Sequence, residues 1–459
     1  MSGMVELNSF WSLVPSLVVI ILALGWRRSV EPLVLGIVVG AMLLGGGGFF
    51  AIAQTALITQ LSDETLVWIV LVCGLFGALI FLLTDAGGAV AFARWVEARV
   101  ASRVGLLMST WLMGLVIFID DYLNALTVGN AMRPVADRLG VSRSMLAYVV
   151  DATAAPVCVL IPLSTWAVFV VGTLETVTMP LNSSGMTLYL SAIPFMLYPI
   201  VTVIMVPLVA VGLIPSLGPM QRAATGDEAR IRVERARGDA TKAHLLDFAL
   251  PLTALILATM WFDADALSGV LVALSITAIF YVARGVTKAG RIIPRMMAGF
   301  ASMLEALFIV VLSFVLKDVN EQLGLTAFVL SAVDPLLVQL DGIYPGLGVA
   351  LLPATIFLLL SVITFATGSF WGTMAITIPV VLPLCQAVGL PLTLGLGTIV
   401  SAGAFGSHAC FYGDTTVLAA KASGITAVEH ALTQLPYVVL AASVSTIGFI
   451  LIGWWMVVS

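Results

Sequence analysis

Charge is what this sequence has least of. Asp, Glu, Lys and Arg make up 10% of its 459 residues, against about 25% in an average soluble chain. Cysteine is also scarce. Cys73, Cys158, Cys385 and Cys410 each lie in an apolar run and form no CxxC pair. They read as buried small hydrophobes, not as a disulfide frame or a metal site. There is no GxxxxGK[ST] loop, so ATP is not expected to act on the chain directly. HExxH and GxSxG are missing too, which argues against a hydrolase. No domain is basic or free of membrane-length apolar runs, so nucleic acid is not an expected partner. The abundant quantity is hydrophobicity, at 61% with a mean hydropathy of +1.13. It comes in continuous runs of about 20 residues, the length that crosses a bilayer as a helix, not in the short alternating segments of a barrel.

The expected class is an all-α polytopic membrane protein with the lipid bilayer as its first partner. Spans are predicted at about 10–26, 30–46, 65–84, 145–172, 188–214, 246–262, 266–284, 296–316, 393–420 and 434–456. A polar segment, about 215–245, reads as a cytoplasmic linker. The first apolar run is preceded by Glu6 and followed by Arg27 and Arg28. That charge order is the reverse of a signal peptide, so the run is expected to be a retained helix. Gly45 to Gly48 reads as a flexible outer turn. Trp11, Trp26, Trp261, Trp454 and Trp455 sit near predicted span ends, as interfacial anchors do.

Two regions do not fit single spans. The first, about 104–138, is broken by the acidic stretch from Asp120 to Asn124; the second, about 347–386, is broken at TGSFWGT (Thr367 to Thr373). Each could be two spans or one re-entrant hairpin, and arms of about 15 residues, short for spans of about 20, favour hairpins. With hairpins, and Arg27 and Arg28 inside, every Lys and Arg except Lys317 falls on the cytoplasmic side. Both termini are then outside. The chain divides into halves, 1–214 and 246–459, each with five spans and one hairpin. Five is odd, so the halves have opposite orientation, an architecture of secondary transporters. A weak echo joins them. Pro134–Gly140 (PVADRLG) matches Pro383–Gly389 (PLCQAVG), and Ser164-Thr165-Trp166 falls opposite Asp414-Thr415-Thr416.

Polar groups inside these apolar runs are the candidate site. An intramembrane carboxylate costs roughly 2.5–3.5 kcal/mol on insertion scales, so each needs a reason. Asp120 and Asp121 are adjacent and would repel unless a proton or a cation intervenes. Asn124 could complete an oxygen shell; the alternative role for the pair is helix capping. Asp151 lies in the broken span 145–172, as a ligand or as a partner of Arg133 or Arg143. Together Asp120, Asp121 and Asp151 are the expected sodium ligands. Thr153, Ser164 and Thr165 offer hydroxyls beside that break, or simple helix–helix hydrogen bonds. In the second half the tip offers Thr367, Ser369 and Thr373. The break in 393–420 offers His408, Asp414 and Thr415. His408 could relay protons or be a packed core histidine. Glu305 lies mid-span and could join a proton path or brace a helix.

The run FIDDYLNALTVGNAMRPVADRLGVSRSMLAYVVDATAAPVCVLIPLSTW resembles the signature region of the NhaC-type sodium/proton antiporter family, in the ion transporter superfamily. TGSFWGTMAITIPVVLPL and GAFGSHACFYGDTT resemble its counterpart in the second half. The resemblance implies an elevator-like fold whose site draws on Asp120, Asp121, Asn124, Asp151, Thr373 and Asp414. Some similar proteins exchange sodium for protons; others carry organic acids or amino acids. The expected activity is therefore sodium/proton antiport in a bacterial cytoplasmic (inner) membrane, the expected partners being a small cation and a second copy in a homodimer. A sodium- or proton-coupled carrier of a small organic solute is the alternative, and a channel a third. No cofactor is expected beyond the transported sodium and protons.

Overall fold

The computed structural model describes residues 7–26, 30–118, 120–162, 164–175, 184–225, 244–262, 265–331, 346–368 and 370–458. Every regular element among them is helical. The first half comprises α1 (Val14–Trp26), α2 (Val30–Gly45), α3 (Phe49–Leu61), α4 (Glu64–Asp85), α5 (Gly88–Glu97), α6 (Arg103–Val116), α7 (Asp121–Arg138), α8 (Arg143–Ala152), α9 (Ala155–Cys158), α10 (Thr165–Glu175), α11 (Gly185–Ala192) and α12 (Leu197–Ala210). After α13 (Pro219–Thr225) come α14 (Leu246–Trp261), α15 (Ala266–Ala283), α16 (Ile292–Ser302), α17 (Leu304–Gln322) and α18 (Leu325–Leu330). The last group is α19 (Leu347–Thr367), α20 (Phe370–Ala387), α21 (Leu392–Ala409), α22 (Asp414–Ser423) and α23 (Ala427–Val458). Most of the polar linker, residues 176–183, residues 332–345, Ser369 and the Glu305 side chain lie outside the described residues.

Among the described residues, five helices are long and apolar enough to cross a bilayer, or up to eight if each of three bent pairs counts as one span. The chain is an integral membrane protein. The bends are 50° between α11 and α12, 46° between α16 and α17, and 43° between α21 and α22. The spans expected at 10–26 and 246–262 are helices of 13 and 16 residues, shorter than the ~20 that cross unaided. Gly45 to Gly48 is not a loose turn. A 3-10 turn at Gly46–Gly48 carries α2 on into α3, a helix that sequence reading missed. Also unforeseen is α5, whose Ala91 and Val96 are buried while Trp95 is exposed under the Arg99 guanidinium. The five tryptophans expected at interfaces are all exposed at or near helix ends.

The sequence echo has a counterpart in the helix bounds. α7 and α20 are both 18 residues long, and start at Asp121 and Phe370, 249 apart. α8 and α21 start at Arg143 and Leu392, and α10 and α22 at Thr165 and Asp414, again 249 apart. The breaks differ in length. α8 stops at Ala152 and leaves 12 residues, with the single turn α9 inside, before α10. α21 runs on to Ala409, and only Cys410–Gly413 separate it from α22.

Two packing groups surround the breaks. α7, α8 and α22 pack on one another, with α19, α21 and α23 behind them. α4, α14, α15 and α16 form the other group. The α4–α16 crossing depends on small residues, which let backbones approach closely in membranes. A Cβ on Gly299 would stand 2.6 Å from both Ala78 Cα and the Gly77 carbonyl oxygen. A Cβ on Gly290 would meet nothing within 4 Å. Gly299→Val should therefore destabilise the purified protein by about 1–3 kcal/mol, the usual cost of overpacking. The check is a lowered unfolding temperature in detergent, with Gly290→Val unchanged.

Candidate functional site

The first tip is built by capping chemistry. α6 stops at Val116 and α7 begins at Asp121, with Asp120 in extended conformation as its N-cap. Asp120 Oδ1 accepts the Leu123 N–H at 2.9 Å, leaving Oδ2 to accept the Thr165 hydroxyl at 3.2 Å. Capping and a further contact thus coexist on one carboxylate. Asp121 occupies the first helical position, where the helix dipole favours negative charge. The Asn124 amide nitrogen lies within hydrogen-bond distance of the carbonyls of Gly114 (2.8 Å), Ile117 (2.9 Å) and Thr153 (2.8 Å). Gly114 and Asn124 are ten residues apart, which along an unbroken helix would be about 15 Å. The chain therefore folds back at this tip, and Asn124 ties the fold-back to the end of α8. Asn124 is buried and holds backbone.

The second half answers with three consecutive side chains at the start of α22. The Tyr122 hydroxyl donates to Asp414 Oδ2 at 2.6 Å. The Thr415 hydroxyl donates to Asp121 Oδ2 at 2.7 Å. The Thr416 hydroxyl donates to Asp151 Oδ2 at 3.1 Å. Asp120, Asp121, Asp151 and Asp414 are all buried. Asp121 Oδ1 is buried as well, and the Trp166 side chain lies beside this carboxylate.

Asp151 stands in its own polar group. Gln434 Nε2 donates to its Oδ2 at 2.9 Å, and His430 Nε2 lies 3.0 Å from the same oxygen. His408 Nε2 is 3.9 Å away, and its Nδ1 is 2.7 Å from the Tyr198 hydroxyl. Neither arginine considered as its partner contacts it: Arg143 instead grips Asp137 with two hydrogen bonds, at 2.9 and 2.8 Å. Among the described residues no three His, Cys, Asp or Glu side chains are arranged to hold a metal ion. Neither the expected sodium trio of Asp120, Asp121 and Asp151 nor Asp120, Asp121 and Asp414 is therefore a ready cage in this structure, and Asp151 is in addition engaged by the histidines and Gln434.

Other expected residues divide. Thr165 and Thr415 join the acids. Ser164 does not: its hydroxyl donates to the Cys158 carbonyl at 2.6 Å and accepts the Ala167 N–H at 3.1 Å, capping α10. Thr153 donates to the Val149 carbonyl at 2.7 Å, a backbone role. Thr367 and Thr373 face each other at 3.4 Å across the second tip. That tip reaches the first half through Phe370, stacked on Trp166 with centroids 4.0 Å apart. Gly368 turns it with φ of +65°, and a Cβ there would press on the Tyr412 ring at 2.7 Å.

Sequence reading missed His430, Gln434, Tyr198 and Thr416, and gave Tyr122 no role. The signal for His430 and Gln434 was their four-residue spacing, which puts both on one helix face. It was lost because the last span was started at about 434, whereas α23 begins at Ala427.

Residues 157–454 match the sequence profile of the Na+/H+ antiporter family. The chain belongs to this family. It is a secondary transporter. A protein of Haemophilus influenzae described as uncharacterized is 29% identical over 489 aligned residues, covering 97% of this chain and 91% of that one. A malate-2H(+)/Na(+)-lactate antiporter of Bacillus subtilis is 28% identical over 158 residues, 34% of this chain and 31% of that protein. Among solved structures, the Alcanivorax borkumensis YdaH transporter overlaps 90% of this chain and 88% of its own, with 15% identity and a TM-score of 0.36.

In this antiporter-family member Asn124 should matter for stability. Asn124→Leu strands buried carbonyls and should cost about 1–3 kcal/mol. Asn130, whose amide donates only to the Leu126 carbonyl, is the control. Thermal unfolding of the two variants should rank Asn124→Leu as the less stable.

Proposed function

We propose that the chain exchanges sodium for protons by alternating access, with sodium bound among Asp120, Asp121 and Asp414. The observation that carries this is a set of three buried carboxylates drawn from both halves, linked by hydroxyls at the starts of α7 and α22. In low dielectric, neighbouring carboxylates ionise together only if a cation sits with them; otherwise protons neutralise them. Sodium binding therefore has to be matched by loss of a proton from the buried polar groups, which is what obligatory exchange requires. The hydroxyls of Thr165 and Thr415 supply further oxygens of the kind a hard cation prefers. The 249-residue recurrence of helix starts supports two related halves, and we read these as inverted repeats carrying two re-entrant tips and ten spans. Rocking of one packing group against the other would then open the site to each side in turn.

A second reading is coupled transport of a small organic anion. It draws on the printed activity of the Bacillus subtilis relative. It also draws on a cavity of about 250 Å³ between α4, α7, α16 and α22, lined by Arg133, Lys421, Asn130, Ser302 and Thr84 among others. Two cations on one wall suit a carboxylate.

Proteoliposomes separate the readings. Under an imposed sodium gradient with no organic solute, the wild-type protein should change the internal pH, and Asp121→Asn should fall to the level of empty liposomes while still folding. Proton movement only after malate or lactate is added would favour the second reading. Unimpaired exchange by a folded Asp121→Asn protein would remove this carboxylate from the mechanism.

A further inference from the structure

We propose that Asp151, His430 and His408 form a second site, one that holds the exchanged proton and is separate from the sodium site. This rests on the antiport reading above and adds to it a division of labour. Two histidines, from α21 and α23, converge on one oxygen of Asp151 in α8, its Oδ2, at 3.0 Å for His430 and 3.9 Å for His408. All three are at most 2% exposed. Charge balance in a dry interior then decides their state. A bare carboxylate beside two neutral imidazoles leaves one uncompensated negative charge; two imidazolium rings leave one positive charge. A single proton on a ring makes the trio neutral, and low dielectric strongly favours that count. The trio is a one-proton store.

Its surroundings suit transfer. His430 Nδ1 and His408 Nε2 are buried without hydrogen-bond partners, so a proton has more than one nitrogen to occupy. The groups facing the trio are Thr416 from α22, Gln434 from α23 and Tyr198 from α12. Asp414, two residues before Thr416, is the charged group α22 brings nearest. None of these supplies a fixed cation, so the proton is the counter-charge. The link to sodium is a single peptide bond long. Thr415 touches Asp121 and Thr416 touches Asp151, so an ion that moves the first turn of α22 alters both contacts together. Sodium arrival at Asp121 and Asp414 thereby reaches the proton on the histidines without sharing its oxygens.

The chain has three histidines, and the third, His244, lies on an exposed stretch. Nitrogen-15 histidine NMR of the membrane-reconstituted wild-type protein therefore reads the site directly, with His430→Gln assigning the signals. At neutral pH and low sodium, one buried ring should carry the charged imidazolium signature. Saturating sodium should convert that ring to a neutral tautomer, and Asp121→Asn should abolish the response. Buried rings that stay neutral throughout, or a charged ring that ignores sodium, would overturn the proposal. Sodium flux in proteoliposomes, measured in parallel, keeps the two failures apart. Sodium that moves while the rings do not respond sinks the proton site alone. A wild-type protein that moves no sodium sinks the antiport reading and this inference with it.

Discussion

The first turn of α22 is where the two halves of the chain meet chemically. Asp414 is held by Tyr122, Thr415 holds Asp121, and Thr416 holds Asp151. Three successive side chains of one helix thus answer three separate first-half positions. Buried carboxylates are costly in a bilayer and persist only with donors or counter-ions. The rest of the architecture reads as the means of bringing those donors to them. Helices must stop at depth so that their ends, not their sides, face the acids.

Each stop has a local cause. Asp120 caps α7, and Asn124 gathers the carbonyls that the fold-back frees. Ser164 caps α10 after the longer break. At the second tip Gly368 adopts a left-handed conformation that a side chain would strain, against the Tyr412 ring. Phe370 then stacks on Trp166, beside Thr165 and hence beside Asp120. Polar groups that freeze the backbone and polar groups that face the acids are interleaved in sequence. Neighbouring hydroxyls therefore do different work: Ser164 is structural, and Thr165 reaches Asp120.

That interleaving explains how much of the site was legible in the sequence. The acids and both breaks stood out because carboxylates, Gly and Pro inside apolar runs violate the pattern around them. The recurrence of helix starts was visible in Pro134–Gly140 and Pro383–Gly389. What a hydroxyl donates to was not visible, since Thr153 and Thr165 look alike until the backbone path is known. His430 and Gln434 escaped because contacts to Asp151 across 279 and 283 residues leave no local trace. His430 was also placed outside the last predicted span, when α23 starts a full turn and more before the apolar run takes hold. The short amphipathic α5 and the continuation of α2 into α3 were lost for a related reason. Their polarity is mixed, and packing decides them.

The central claim is that sodium sits among acids contributed by both halves. A cryo-electron microscopy map of the wild-type protein in lipid at saturating sodium tests it most directly. The account predicts ion density enclosed by Asp120, Asp121 and Asp414, with Thr415 still beside Asp121. Ion density elsewhere, or an α22 start drawn away from α7 in every state seen, would contradict it.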